Sequence, residues 1–237
     1  AVRVDVFTPS FREAMRDYRF LADRGYPARS TVELVGDRYA LSRSQRSILY
    51  RGVFSAEESS RRRGSLSPSI SSGILYIDGF NVLLSVAHYL AGRTLYIATD
   101  GFLRDDGEAE GKKANTESVI RAAELACRYL RDHPRTSPVF ILDSRLDSAE
   151  PAISFIREAL GPVNGTACPV RALSIDDPDP FLSRVTDGLV ATADSRVIDR
   201  LSVPAFDLAR DILFTFHRPS IPDLSELLHL CTTPENG

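Results

Sequence analysis

Repeatedly along this chain an apolar, β-favouring run ends in an aspartate: Ile74–Ile77 before Asp78, Leu95–Thr99 before Asp100, Val139–Leu142 before Asp143, and Leu189–Ala193 before Asp194. Val170–Ile175 before Asp176 and Val203–Phe206 before Asp207 repeat the pattern. An aspartate after a strand is often only the cap of the next helix. Asp176 and Asp207 read that way, and Asp194 can cap the helix that follows it. Capping does not account for the surplus. Asp100 is followed by Arg104, Asp105 and Asp106, then by Gly107 instead of a helix, and Asp187 adds a carboxylate shortly before Asp194. Carboxylates that converge without lysine partners repel one another unless a cation sits among them. Oxygen donors without His or Cys suit Mg²⁺ or Mn²⁺, and such ions serve phosphodiester or phosphoryl chemistry.

Other chemistries find little support. Cys127, Cys168 and Cys231 are far apart, and His88, His133, His217 and His229 show no metal-ligand spacing. A haloacid-dehalogenase-type phosphatase needs a second Asp two residues after Asp78, where Phe80 stands. The turn after Ile77 lacks the glycines of a dinucleotide site, and there is no P-loop. The net charge of −3 hides an arginine-rich segment up to residue 63, including Arg61-Arg62-Arg63, ahead of an acidic remainder. A basic arm on an acidic body can hold a polyanion near a carboxylate-bound metal. No apolar run is long enough to span a bilayer and no signal-peptide pattern is visible, so a cytoplasmic protein without membrane contact is expected.

The elements that would position these aspartates follow from periodicity. Strands alternate with helices at 80–91, 116–131 (capped by Asn115), 148–160 and 195–201, which predicts an α/β fold with a mostly parallel sheet and helices on both faces. Parallel strands gather their carboxyl ends at one rim, where open sheets bind ligands. Asp78, Asp143 and Asp194 are therefore expected together, with Asp100 at the edge. Before this, residues 1–54 read as a helical module. Phe11, Ala14, Met15, Tyr18 and Leu21 form one stripe, Ser30 and Glu33 suggest a capping box, and Ser42 suggests a further cap. The last two helices have the dimensions of a helix-turn-helix, with Arg43, Arg46 and Arg51 turned to solvent for phosphate. Residues 55–72, rich in Ser, Gly and charge, read as a flexible linker, and residues 73–237 as the α/β domain.

Ile77-Asp78-Gly79-Phe80-Asn81-Val82-Leu83, taken with Val190-Ala191-Thr192-Ala193-Asp194-Ser195, resembles the PIN-like and NYN nuclease superfamily over about residues 73–215. The segments Asp23–Pro27, Leu34–Tyr39 and Leu49–Gly52 look like a helical domain that precedes such PIN-like domains. The resemblance implies a divalent-metal-dependent nuclease, with RNA as the expected substrate and DNA as the other. Asp78 and Asp194 fall on metal-ligand positions, with Asp143 or Asp100 assisting. Asn81 would orient Asp78 through a hydrogen bond, and Asp187, seven positions before Asp194, is expected beside the ligands with it. The family's acidic residue in a central helix finds only Glu117 and Glu124 here. Arg104 would meet the substrate phosphate. The competing expectation is a non-catalytic nucleic-acid-binding regulator whose α/β domain binds a small ligand or dimerises.

Overall fold

Alternation along β1 (Gly73–Asp78) sends Leu75 and Ile77 to one side of a sheet and Ile74, Tyr76 and Asp78 to the other. The computed structural model describes residues 6–70, 72–107, 115–160 and 171–229. Val170, Cys168 and Cys231 lie outside them. The chain divides into two compact units, one of residues 1–64, 94–113 and 220–237, the other of residues 65–93 and 114–219. No described helix is long and apolar enough to cross a membrane.

The second unit carries the sheet. β1 lies between β4 (Thr136–Asp143) and β6 (Leu189–Ala191), with β5 (Arg171–Ile175) beyond β4 and β7 (Ala205–Phe206) beyond β6. All pairings are parallel. Val139 and Ile141 of β4 and Val190 of β6 join Ile74 and Tyr76 on one face, covered by Leu182 of α8 (Pro178–Leu182), Val185 and Val197 of α9 (Ser195–Ile198). On the opposite face α5 (Gly79–Leu90) packs against β1 and β4, followed by α6 (Thr116–Arg131), α7 (Ala149–Ala159) and α10 (Leu208–Phe216). Gly79 permits this approach. A Cβ there would meet the Ile141 carbonyl oxygen and Leu142 Cγ, each at 2.8 Å.

The first unit begins with α1 (Pro9–Ala22), capped by Thr8 and burying Phe11, Ala14, Met15 and Tyr18. α2 (Ala28–Arg38) starts after Pro27, so the expected Ser30–Glu33 capping box is absent; the Ser30 hydroxyl donates to the Pro27 carbonyl instead. The reciprocal box lies at Ser42 and Gln45, opening α3 (Arg43–Gly52). The first part of the expected linker is a helix, α4 (Ala56–Ser65). Ser55 and Glu58 exchange hydrogen bonds at its start, Ser55 N to Glu58 Oε2 at 3.1 Å and Glu58 N to Ser55 Oγ at 3.2 Å. What α4 buries is Ser59 and Arg62, not an apolar stripe, so the segment has no hydrophobic period.

Leu95–Thr99 does not join the parallel sheet. β2 (Leu95–Ile97) and β3 (Leu103–Asp105) form an antiparallel hairpin in the first unit. Tyr96 and Ala98 sit in its core with Phe11, Tyr18, Ile48 and Leu224, the last from α11 (Leu224–His229). The compact units thus depart from boundaries drawn at residues 54 and 73, because the hairpin and the C-terminal segment complete the helical unit.

Candidate functional site

The strand order places the switch point beside Asp78. From the central β1 the chain fills one flank with β4 and β5, then the other with β6 and β7. Ligands in such sheets bind beyond the carboxyl ends of the strands where the order reverses. Asp78 ends β1, and Thr192-Ala193-Asp194 follows its neighbour β6.

One buried hydroxyl connects the two aspartates. Thr192 Oγ1 donates to Asp78 Oδ2 at 2.8 Å and accepts from the Asp194 backbone N–H at 3.2 Å. Asn81 acts differently from expectation. Its side-chain Oδ1 accepts from the Ala193 N–H at 2.8 Å, tying the first turn of α5 to the loop that carries Asp194. Burial pushes the Asp78 carboxyl up to about 7. The Thr192 bond pulls it down, Asp194 and Asp179 push it further up, and the nearby Asn81 N–H lowers it.

Asp194 is held in its charged form. Burial raises its pKa, but hydrogen bonds from Arg196 outweigh that and leave it below the usual range. The Arg196 backbone N–H donates to Asp194 Oδ1 at 2.8 Å, so Asp194 does cap α9, and Arg196 Nη2 lies 3.0 Å from Oδ2. The same nitrogen stands 3.9 Å from Asp179, whose own pKa is raised by burial and then by Asp194. Asp179, Thr192 and Arg196 join the site without being among the residues expected from the sequence. Thr192 and Arg196 each lie two residues from Asp194, and Asp177-Pro178-Asp179-Pro180 is a readable helix start with an acidic first turn.

The other predicted residues divide. Asp143 lies two residues beyond Ile141, the register partner of Asp78, so it shares Asp78's strand face and rim. Its carboxylate is clasped by Arg145, whose side chain holds its pKa low. Asp187 precedes β6, and the register Leu75–Leu189 aligns it with the first residue of β1. That is the opposite end of the strand from Asp78, roughly 16 Å away at about 3.3 Å per residue. Asp187 therefore does not support the ligands; it lies 3.5 Å from the Tyr76 hydroxyl. Glu117 and Glu124 are exposed on α6.

Asp100 and Arg104 belong to the first unit and serve its core. Asp100 is fully buried and takes two bonds from Arg104, at 2.6 and 2.9 Å, with Arg62 3.7 Å away. Both oxygens are committed to arginine, and Arg104, itself buried, is not presented to a substrate. On α3, Arg43 and Arg51 are exposed, but Arg46 folds back onto Glu33 at 3.1 Å and Asp37 at 2.7 Å.

The donors near the switch point are all carboxylate oxygens, the class that Mg²⁺ and Mn²⁺ accept. Among the described residues no three His, Cys, Asp or Glu side chains close around one point. An ion at this rim would take its protein oxygens from Asp78 and Asp194, in the manner of Mg²⁺ held by one or two carboxylates.

Residues 68–211 match the family described as "Domain of unknown function (DUF5616)", and the chain belongs to that family. Asp78, Asn81, Asp179, Thr192 and Asp194 all fall inside the match. Residues 10–64 match "Protein of unknown function (DUF434)". The chain is 28% identical over 153 residues to "Uncharacterized protein MJ0935" of Methanocaldococcus jannaschii, an alignment covering 64% of this chain and 73% of the relative. Neither family description names a nuclease, and no solved structure matches the chain.

Proposed function

We propose that the chain is a divalent-metal-dependent nuclease that hydrolyses phosphodiester bonds in RNA at the Asp78–Asp194 rim. The observation that carries the reading is the coupling of these two carboxylates through the buried Thr192 hydroxyl at the switch point of a parallel sheet. Asp78 and Asp194 would hold Mg²⁺ or Mn²⁺, with Asp179 adding negative charge beside them. An ion in such a site neutralises charge developing on the phosphate and acidifies a water. The protein's share is positioning. Thr192 fixes one oxygen of Asp78, and Asn81 fixes the loop before Asp194, so both carboxylates are placed before a cation arrives and only the Arg196 side chain must move. Arg196, whose side chain is 74% exposed, can release Asp194 to the ion and turn its guanidinium to a substrate phosphate. Exposed Arg43 and Arg51 would supply part of the salt-dependent attraction to the strand.

The test is incubation of end-labelled single-stranded RNA, structured RNA and DNA with Mn²⁺, Mg²⁺ or EDTA. Wild-type protein should cut RNA only with metal, and Asp78→Asn should bind RNA without cutting it. Absence of Mn²⁺ binding in calorimetry would end the enzyme reading and leave the non-catalytic regulator in its place.

A further inference from the structure

A second feature lies entirely within the helical unit. α1 and α4 line a hollow of about 490 Å³, within the usual size range of small-molecule sites, roughly 300–1,000 Å³. Arg16, Arg19 and Phe20 recur at helical spacing on α1, so they share one side of that helix. Ser60 and Arg63 come from α4. The arginine run noted in the sequence thus separates, with Arg62 paired to Asp100 in the core and Arg63 on the pocket wall.

Three arginines line it, two of them in surface ion pairs: Arg16 with Glu13 at 2.7 Å and Arg19 with Asp23 at 3.0 Å. Its carboxylate, Asp23, is already engaged by Arg19 Nε at 3.0 Å and by the Ala56 backbone N–H at 2.6 Å. Arg63 is held by neutral acceptors, the Thr99 carbonyl at 2.6 Å and the Ser225 hydroxyl at 2.9 Å, which fix its direction without cancelling its charge. Arg63 beside the Ser59, Ser60 and Ser225 hydroxyls suits a phosphate, and the surface pairs of Arg16 and Arg19 are weak enough to yield to it. The wall also has an aromatic part. Phe20 is 54% exposed, and Arg24 stacks on its ring at 3.4 Å. A bare phosphate or sugar phosphate leaves the part of the ring that Arg24 does not cover unused, whereas a flat base can lie against it.

We propose that this pocket binds a nucleoside 5′-phosphate, either a free nucleotide or the phosphorylated end of a strand. The site is independent of the aspartate rim and of any chemistry there. Calorimetry on the full chain in EDTA separates the two, because the rim is then metal-free. The probes are AMP, GMP, CMP and UMP, adenosine, inorganic phosphate, and a short RNA with and without a 5′-phosphate. Thermal melts monitor folding of two variants, Ser60→Glu, which adds a carboxylate at an exposed wall position, and Arg63→Gln. The expected result is binding of a nucleoside phosphate about tenfold tighter than its unphosphorylated partner and tighter than inorganic phosphate, lost by about tenfold in the folded Ser60→Glu protein. Binding of free nucleotides assigns a small-molecule site; binding only of the phosphorylated RNA assigns a strand end. Equal affinity with and without the phosphate, unchanged affinity in Ser60→Glu, or no binding of any probe at millimolar concentration overturns the proposal.

Discussion

Replacing Asp78 with Asn should make the metal-free protein more stable at neutral pH. Asp78 is only 8% exposed, and its carboxyl rises from 3.8 to about 7 on folding. Because the folded pKa lies above the unfolded one, the folded chain binds more protons between pH 4 and pH 7. Stability therefore falls as pH rises through that window. Above it, a shift of about 3 units at about 1.36 kcal/mol each corresponds to about 4 kcal/mol of destabilisation from this carboxylate. An amide at the same place can still accept the Thr192 hydroxyl and carries no charge to desolvate. At pH 8 in EDTA, Asp78→Asn should then gain about 2–4 kcal/mol, or roughly 5–15 °C in Tm for a chain of this size. At pH 4 the two proteins should melt together, since wild-type Asp78 is also neutral there. Added Mn²⁺ should narrow the gap at pH 8 by stabilising only the wild type. The assay is urea and thermal unfolding by circular dichroism from pH 4 to pH 8.5. An asparagine variant less stable than wild type at pH 8, or a gap of equal size at pH 4 and pH 8, would refute the electrostatic reasoning.

Thr192→Val should cost about 1–3 kcal/mol, because it strips a buried hydroxyl from Asp78 and from the Asp194 N–H; Mn²⁺ affinity by calorimetry should fall with it, and unchanged affinity would remove Thr192 from the site. Gly79→Ala forces a Cβ to 2.8 Å from the Ile141 carbonyl, so a loss of about 1–3 kcal/mol is expected in chemical denaturation; a neutral result would mean that α5 can shift freely. Asp100→Asn leaves Arg104 and Arg62 buried beside an amide, and unfolding should show a loss of about 3–5 kcal/mol; a fully stable variant lacking only nuclease action would return Asp100 to the catalytic group.

Much of this protein was legible because it is local. The run from Ile74 to Ile77 ends at a glycine-containing turn, and Val82, Leu83 and Val86 keep helical time after it, so β1 and α5 follow from residue order alone. The parallel alternation then put Asp78 and the loop bearing Asp194 at one rim, since parallel strands share a direction. Local signals misled where packing is unusual. α4 buries an arginine and a serine and has no apolar stripe, so the segment reads as linker although Ser55 and Glu58 cap a helix there. Leu95–Thr99 has the same apolar look as a sheet strand, yet it turns back on Leu103–Asp105, and that antiparallel pairing took Asp100 into a buried ion pair. Asp187 is close to Asp194 in sequence, but strand length sends the two to opposite ends of β6. The chain by itself determined β1, β4 and β6 and the aspartates that end or follow them. Register, strand order and the choice of which carboxylates meet arginine were decided only in the tertiary structure, because they depend on groups distant in sequence. Asp179 reached the site from a different element for the same reason: desolvation and charge act through space.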